Sequence, residues 1–504
     1  MAIVEPSPKN CTSVNLPLIL EILYLLLLIF SCIRIIYDTR SAPKTISYLL
    51  FAIFVPVVGI IFYFSVGINY RKRKMYRQKI ISDNVIGLSL LEKKMIFAPS
   101  ADKDNLALMD KNKRLIRFLN QNGINPVTSN NHIRILLNGE KKIPEVLEAI
   151  KNAKHHIHIE YYIIEDDSTG REIENALVEK VREGVTVRLI YDDFGSRSVR
   201  KTLLRRLAAA GIETNPFNKI VFIAFANRIN YRNHRKIIIV DGSIGFIGGI
   251  NISDRYINRP RIRRRRRRWD QMYWRDTHMR IEGDGVSYLQ FLFFCDWSFC
   301  SESTLPLSVE YFPTFESPVN YGTKQIQIAA SGPDSDTSII LYSLLELINT
   351  AESELLLTTP YLIPCESLLN ALVLASIGGV DVKILVPKRN DSLVINLASQ
   401  SYYDELLQAG IEIYEYKKGF IHAKTVVVDG SISTIGTANM DDRSFDLNFE
   451  VNAIVFDKEV AHELRNVYFN DVKNAIRVDP NKWEDRPKIK KLLEKTVRLL
   501  SPML

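Results

Sequence analysis

The feature that most constrains this chain is a pattern of five residues that occurs twice. The first copy consists of His234, Lys236, Asp241, Gly248 and Asn251, in the spacing H-x-K-x4-D-x6-G-x2-N. The second copy has the identical spacing 188 residues later and consists of His422, Lys424, Asp429, Gly436 and Asn439. A repeat of this kind indicates a duplicated unit. Because its period is far too long for a solenoid, we expect two pseudo-symmetric lobes.

The sequence around each copy alternates short apolar runs with helical stretches. Two similar strings lie 195 residues apart, Glu-Gly-Val-Thr-Val-Arg-Leu-Ile from Glu183 and Gly-Gly-Val-Asp-Val-Lys-Ile-Leu from Gly378. Strands that alternate with helices favour a layered α/β fold. We therefore predict an α/β fold with two lobes, at 131–315 and 316–480, with mixed, largely parallel sheets and a C-terminal tail at 481–504.

Two long apolar runs near the N-terminus predict transmembrane helices. The run at 14–33 is interrupted by Glu21, and the run at 46–68 carries no charge. Each is about long enough to cross a hydrocarbon layer of roughly 30 Å. We predict two membrane-spanning helices, at about 14–36 and 46–68, within an N-terminal segment 1–69. A cleaved secretory signal is the alternative for the first run, but the basic region that should precede it is nearly absent.

The net charge of +9 is concentrated in two basic clusters. Six lysines and arginines lie within 71–79, at the start of a predicted basic juxtamembrane linker at 70–130. Positive charge beside a membrane span indicates the cytoplasmic side. Eight arginines lie within 259–268. Charge confined to such patches favours an anionic membrane surface over an extended nucleic-acid footprint.

The strand context of the repeated pattern brings its histidine and lysine to one face. Residues 236–240 and 424–428 are apolar, β-branched runs that end at Asp-Gly turns. Side chains two positions apart on a strand point the same way, so each histidine and its lysine should face one pocket. Glycines in the pattern permit close backbone approach, and the asparagines offer amide donors.

Two imidazoles and two ammonium groups suit the exchange of an alcohol on a phosphodiester. One neutral histidine would attack phosphorus, and the other, protonated, would donate to the leaving oxygen. The lysines would supply the positive charge, so we predict no metal and no cofactor. The candidate catalytic residues are His234, Lys236, Asp241, His422, Lys424 and Asp429. The candidate supporting residues are Asn251, Asn439 and two carboxylates that could orient the histidines, Asp276 and Glu450.

A second histidine cluster suggests a metal site less strongly. His156, His158 and Glu160 alternate on one face of a predicted strand. Because no further Cys or His stands at ligand spacing, we favour a structural role.

The paired pattern resembles the signature of the phospholipase D superfamily, and several strings are similar to its bacterial cardiolipin synthase branch. These strings are Asn-His-Arg-Lys from Asn233, Gly-Gly-Ile-Asn from Gly248, Trp-Arg-Asp-Thr-His from Trp274, Ser-Gly-Pro-Asp from Ser331, Thr-Pro-Tyr-Leu-Ile-Pro from Thr359 and Phe-Ile-His-Ala-Lys from Phe420. The similarity runs over nearly the whole chain. The resemblance implies a reaction in which two phosphatidylglycerol molecules yield cardiolipin and glycerol through a phosphatidyl-histidine intermediate.

The resemblance also implies roles for individual residues. His234 would attack, and His422 would act as acid and then as base. Carboxylates after each motif would orient the histidines, while Asp241 and Asp429 look more structural. The expected partners are phosphatidylglycerol and anionic lipids, with no nucleic acid, and the expected location is the bacterial inner membrane with cytoplasmic lobes.

Three alternatives stay open at this level. A hydrolase of the same superfamily, a phospholipase or a nuclease, would use water in place of the second alcohol. A non-catalytic membrane-binding protein ranks last because both His-Lys sets are intact. The arginine run at 263–268, which departs from the shorter, mixed linker expected in the family, is a solvated charge run, a collector of anionic head groups, or a nucleic-acid contact.

Overall fold

The structure of this chain is a computed structural model in which two units are distinguished, Met1–Arg71 and Lys72–Leu504. It describes residues 16–39, 42–55, 57–64, 69–93, 106–121, 125–219, 231–258, 272–301, 303–313, 319–335 and 337–501. The arginine run at 263–268 therefore lies outside the described residues.

The first unit contains three apolar helices, α1 (Leu16–Asp38), α2 (Ala42–Phe54) and α3 (Val58–Phe62). Helix α1 has 23 residues, about 34 Å at ~1.5 Å per residue, which matches the hydrocarbon thickness of a bilayer. Within the described part of the chain it is the one helix long and apolar enough to cross a membrane. It coincides with the first predicted span.

The second predicted span is not one continuous helix. Helix α2 ends before Val57, whose φ of +65° is incompatible with an α-helix. The sequence has Pro56 here, which lacks an N–H and disfavours a helical residue before it. The ring of Phe62 packs edge-on against Phe51 of α2 at 5.3 Å, so α3 folds back along α2. The apolar run at 46–68 thus contains a helical hairpin in place of the predicted single helix.

The segment predicted to be a basic linker is largely helical, with α4 (Asn69–Glu92), α5 (Leu106–Lys111) and α6 (Lys113–Gln121). Lys79 of α4 belongs to the basic cluster at 71–79, but only 3% of the residue is exposed. Its ammonium pairs with Asp83 at 2.6 Å, Asp334 at 3.0 Å and Asp296 at 3.1 Å. Lys79 is therefore an internal charge that ties α4 to the body of the second unit.

The first lobe begins with a strand and ends with a long buried helix. Its elements are β1 (Asn131–Leu137), α7 (Asn138–Asn152), β2 (His156–Tyr161), α8 (Ser168–Arg182), β3 (Thr186–Asp192), α9 (Leu203–Ala209), β4 (Glu213–Phe217), β5 (Arg232–Asn233), β6 (Lys236–Val240), β7 (Ile244–Gly248), β8 (Tyr273–Arg275), β9 (Thr277–Gly283) and α10 (Val286–Ser301). Seven of these strands form one sheet in the order β1-β9-β7-β6-β2-β3-β4.

The second lobe repeats this arrangement. Its elements are β10 (Ile326–Ser331), α11 (Ile339–Asn349), β11 (Glu354–Thr358), β12 (Leu362–Ile363), α12 (Glu366–Ile377), β13 (Asp381–Pro387), α13 (Leu393–Gln400), α14 (Tyr403–Gln408), β14 (Glu412–Tyr416), β15 (Gly419–Ile421), β16 (Thr425–Val428), β17 (Ile432–Gly436), β18 (Met440–Asp441), α15 (Asp442–Asp446), β19 (Asn448–Phe456), α16 (Lys458–Val472), β20 (Ala475–Arg477), α17 (Pro480–Glu484) and α18 (Lys488–Arg498). The order β10-β19-β17-β16-β11-β13-β14, extended by β20, matches the first sheet strand for strand.

Both sheets are mixed, but the prediction that they are largely parallel is wrong. In each set of seven described strands, four pairings are antiparallel and two are parallel. The parallel pairs are those joined through helices, β2 with β3 and β3 with β4 in the first lobe. The Asp-Gly turn at 241–242 joins β6 directly to β7, and a turn that tight forces an antiparallel pair.

The two sheets share a central core. One buried cluster joins Ile247 and Met279 of the first lobe to Ile328 and Val451 of the second. Helix α10, which is apolar on nearly all sides, is buried in the same cluster. Each lobe has a further core of its own under its outer helices. The repeat therefore packs sheet against sheet across a common hydrophobic layer.

We expect Lys79→Ala to lower the free energy of unfolding by about 3–5 kcal/mol, because it removes the cation shared by Asp83, Asp296 and Asp334 and leaves Asp296 with Arg235 alone. The matched control is Arg77→Ala on an exposed position of the same helix, for which we expect a change within about 0.5 kcal/mol. Denaturant unfolding of the purified protein measures both. Equal stability of the two variants would contradict the internal role of Lys79.

Candidate active site

Each histidine of the repeat directly follows a short strand that pairs with a strand of the opposite lobe. Strand β5 pairs in parallel with the start of β19, and the His234 N–H donates to the Phe449 carbonyl at 2.9 Å. Strand β15 pairs in parallel with β8, and the His422 N–H donates to the Arg275 carbonyl at 2.7 Å. The residue that follows each of these carbonyl-bearing positions is a carboxylate, Glu450 or Asp276.

This exchange of strands pairs each histidine with the carboxylate of the other lobe. His234 Nδ1 lies 2.9 Å from both carboxylate oxygens of Glu450. His422 Nδ1 lies 2.7 Å from Asp276 Oδ2. Both carboxylates are fully buried, and Asn448 donates a further hydrogen bond to Glu450 at 3.0 Å. A carboxylate on Nδ1 fixes the ring and leaves Nε2 of each imidazole available to the cavity.

The two lysines of the repeat lie beneath the histidines. Lys236 Nζ donates to the carbonyl oxygen of His234 at 2.6 Å, and Lys424 Nζ donates to that of His422 at 2.5 Å. Lys236 is fully buried and Lys424 is 5% exposed. Each lysine therefore supports its own histidine strand and places positive charge below the cavity.

Burial shifts the pKa of all four basic groups downward. It lowers the pKa of His234 to about 4, against the opposing charge of Glu450, and that of His422 to about 3, with the nearby charge of Lys424 adding to the effect. It also lowers the pKa of Lys236 to about 7 and that of Lys424 to about 8. Without a ligand, both imidazoles are neutral at neutral pH.

The aspartates of the repeat do not reach the cavity. They follow β6 and β16, so Asp241 lies roughly 16 Å along the strand from Lys236 at ~3.3 Å per residue. Asp241 accepts the backbone N–H groups of 154, 155 and 156 at 2.8–2.9 Å. Asp429 accepts those of 352, 353 and 354 at 2.8–3.2 Å. Both aspartates thus bind backbone groups of the turns, where each has a positive φ, and their place among the catalytic candidates stays a prediction.

Both asparagines of the repeat line the cavity, and Gly248 lies in a tightly packed pair of strands. Asn251 uses its amide inside the protein, donating to the Tyr256 hydroxyl at 2.6 Å and accepting from the Ile163 N–H at 3.2 Å. Asn439 lines the cavity, and its buried Oδ1 has no hydrogen-bond partner among the described residues. Gly248 has a φ of +149°, and a Cβ there would lie 2.6 Å from the Cα of His278. A larger residue at this position cannot be accommodated.

One cavity of about 430 Å³ joins the two motifs. Both histidines, both asparagines and residues of both lobes line it. Its aromatic walls include Tyr162, whose ring centre is 4.8 Å from that of His234, and Trp274, at 5.5 Å from His422. A cavity of this size, lined by polar and charged groups beside aromatic and aliphatic walls, is suited to a small charged head group.

Sequence reasoning missed three arginines that line the cavity, Arg232, Arg255 and Arg443. Two of them had a detectable signal, because Arg255 and Arg443 are separated by the same 188 residues as the motifs and each follows an aspartate. Planar guanidinium groups bind phosphate oxygens in a bidentate manner. The cavity therefore has cationic side chains from both lobes, besides the lysines beneath it.

The second histidine cluster lies in a core and outside this cavity. The Gln290 side chain bridges the cluster, at 3.2 Å from His156 Nε2 and 2.7 Å from His158 Nδ1. His158 also stacks on Phe293 with ring centres 4.2 Å apart. Burial lowers the pKa of both histidines. Over the described residues, no group of three or more His, Cys, Asp or Glu side chains is arranged to hold a metal ion.

Comparison with known proteins agrees with the geometry. A family model for the PLD-like domain of cardiolipin synthase matches residues 146–261 and 344–472, and one for a phospholipase D-nuclease N-terminal region matches 23–67. A cardiolipin synthase of Geobacillus sp. (strain WCH70) is 37% identical over 488 residues, which is 96% of this chain and 94% of that protein. Cardiolipin synthase 1 of Bacillus anthracis is 35% identical over 99% of this chain and 97% of its own length.

A solved structure shares the fold at lower identity. The phosphatidylserine synthase of Haemophilus influenzae Rd KW20 superposes with a TM-score of 0.57 and 15% identity, covering 78% of this chain and all of that one. The duplicated lobes, the paired motifs and the relatives aligned over nearly the full chain lead to one conclusion. The chain belongs to the cardiolipin synthase family of phospholipase D-like proteins.

Proposed function

We propose that this chain is a cardiolipin synthase, which transfers the phosphatidyl group of one phosphatidylglycerol to another and releases glycerol. The observation that carries the proposal is a single cavity with two imidazoles, each held by a buried carboxylate of the opposite lobe. Relatives that bear the name cardiolipin synthase, aligned over nearly the full chain, support the choice of lipid.

In the first half-reaction His234 is the nucleophile. Glu450 holds the Nδ1–H of His234, so the Nε2 lone pair attacks phosphorus. The bond from phosphorus to the glycerol head group breaks, and protonated His422 gives its Nε2 proton to the departing oxygen. The products are phosphatidyl-His234, free glycerol and neutral His422. Asp276 stabilises the imidazolium before transfer.

In the second half-reaction the acceptor is the glycerol hydroxyl of a second phosphatidylglycerol. Neutral His422 takes the hydroxyl proton as the oxygen attacks phosphorus. The phosphorus–nitrogen bond breaks, which regenerates His234 and gives cardiolipin. His422 gives up one proton in the first half-reaction and takes up one in the second, so the two half-reactions balance.

The anionic substrate explains how His422 becomes protonated. Burial lowers its pKa to about 3 in the empty cavity, but a phosphodiester charge beside the ring favours the protonated form. Substrate binding would thus bring a proton into the site. Arg443 on the cavity wall and the two lysines, whose ammonium groups bind the carbonyl oxygens of the histidines, then stabilise the charge on the phosphoryl oxygens.

We also propose that α1 anchors the enzyme in the bacterial inner membrane with the lobes in the cytoplasm. Support comes from the apolar length of α1 and the basic residues at 71–77. Two full spans would require α2 and α3 to act as one, and that finer topology stays a prediction.

The purified protein in mixed micelles with labelled phosphatidylglycerol and a chelator is expected to make cardiolipin and one glycerol per cardiolipin. Lipid analysis with a glycerol assay measures both products. Phosphatidic acid as the main product would show that water, and not a lipid hydroxyl, takes the phosphatidyl group, and the hydrolase reading would replace the transferase.

His234→Ala is expected to lose turnover by at least about 10³-fold and to form no covalent lipid adduct. His422→Ala is expected to lose turnover but still to accumulate some adduct, because the attacking ring remains. Quenching with labelled lipid followed by denaturing electrophoresis detects the adduct. His462→Ala, an exposed histidine on α16, is the matched control. An adduct of normal yield in His234→Ala would refute its role as nucleophile.

The alkaline limb of kcat/KM should follow the buried lysines. A lysine is charged below its pKa and loses the charge above it, and these values are about 7 and 8 in the free enzyme. We therefore expect kcat/KM to fall as the pH rises beyond about 7, and more steeply beyond about 8. Lys424→Arg, whose guanidinium stays charged, should remove the steeper second part of this fall. A flat profile up to about pH 10 would contradict the assignment.

A further inference from the structure

Helix α18 has its apolar and polar faces reversed relative to an ordinary surface helix. The side chains at 489, 492 and 493 fall on one face by helical spacing, and each is at least 50% exposed. The opposite, polar face points inward, where Glu494 is 1% exposed and pairs with Arg486 at 2.8 Å. Arg498 pairs with Glu405 of α14 at 2.6 Å. Ion pairs thus hold the helix so that its leucines face outward.

The exposed apolar side chains continue onto α13, which contacts α18. Leu393 at the start of α13 is 74% exposed. We call the combined surface the leucine face, defined by Leu393, Ile489, Leu492, Leu493, Leu499 and Leu500. Apolar surface left in water on this scale marks an interaction site.

The leucine face adjoins the catalytic cavity. Asp391 and Ile395 of the α13 region line that cavity. A second cavity of about 330 Å³ shares Asp391 with it and is bordered by Leu393. The catalytic cavity of about 430 Å³ holds head groups but is far too small for the four acyl chains of two phospholipids. Those chains need an apolar phase close to the cavity while the head groups react.

Charge identifies the occupant of the leucine face. Helix α18 carries five basic residues and a single acid, Glu494. Lys490 and Arg498 pair with glutamates of the protein, whereas Lys488 and Lys495 are exposed beside the leucines. Two copies joined through this helix would bring like charges together, whereas anionic lipid head groups would complement them. Leucines flanked by lysines are the composition of helices that lie in a membrane interface.

We propose that the leucine face docks on the phospholipid bilayer and presents the mouth of the catalytic cavity to lipid head groups. The role of docking rests on the proposed function, because docking would keep the acyl chains in the bilayer during phosphatidyl transfer. It is a contact additional to the membrane anchor α1, and it orients the lobes. Its existence can be tested without turnover.

The direct test places a tryptophan on the face in the full-length protein, reconstituted in vesicles with anionic lipid. Leu492→Trp should gain fluorescence that lipids brominated on their acyl chains quench by about half. Leu374→Trp, on an equally exposed leucine of α12, is the matched control and should not be quenched. No quenching at 492 would overturn the proposal, and a second copy of the chain covering the face would give that result. Equal quenching at both positions would also overturn it.

A second test separates docking from chemistry. Leu492→Gln combined with Leu493→Gln should lower turnover of phosphatidylglycerol in vesicles more than about tenfold. Turnover of a short-chain phosphatidylglycerol dissolved as monomers should stay within about twofold. Equal loss on both substrates would indicate a structural role for the face and refute docking. If the parent protein made no cardiolipin at all, the proposed function would fail, while the quenching result would still decide the contact.

Discussion

The site depends on an exchange of short strands between the two lobes. Strand β5 joins the sheet of the second lobe and β15 pairs with a strand of the first, so each histidine is oriented by a carboxylate from the other half of the chain. Neither lobe contains a complete His-carboxylate pair. The shared hydrophobic core holds the lobes in the register that this exchange needs. Duplication therefore produced one site with approximate two-fold symmetry, and not two sites.

Burial gives the site its reactivity and also makes it costly to fold. Desolvation keeps His234 neutral, so it is ready to attack, and brings the pKa of Lys236 close to neutrality. Buried charged groups with displaced pKa values destabilise a fold unless hydrogen bonds and neighbouring charges compensate. Here backbone carbonyls accept from the lysines, and Glu450 accepts from Asn448. The negative charge of the substrate further compensates the buried basic groups and favours protonated His422, so substrate binding and proton uptake are coupled.

Much of this architecture could be predicted from the repeat, and what could not has physical causes. The spacing predicted the duplicated lobes, and the sequence after each motif contains the carboxylate that lies beside a histidine in the structure. Sequence proximity could not reveal that Asp276 meets His422, because strand exchange is a property of the assembled lobes. The run at 46–68 has the composition of a span, but composition does not show the turn at Val57. Lys79 looked like surface charge because two of its three aspartate partners, Asp296 and Asp334, are distant in sequence.

The crossed pairing is the central claim, and nuclear magnetic resonance of ¹⁵N-labelled histidine side chains tests it most directly. Glu450→Gln and Asp276→Asn each remove the charge of one carboxylate while keeping its shape. The account predicts that Glu450→Gln changes the Nδ1 signal of His234 alone, and that Asp276→Asn changes that of His422 alone. If each variant instead perturbed the histidine of its own lobe, the exchanged-strand site would be wrong.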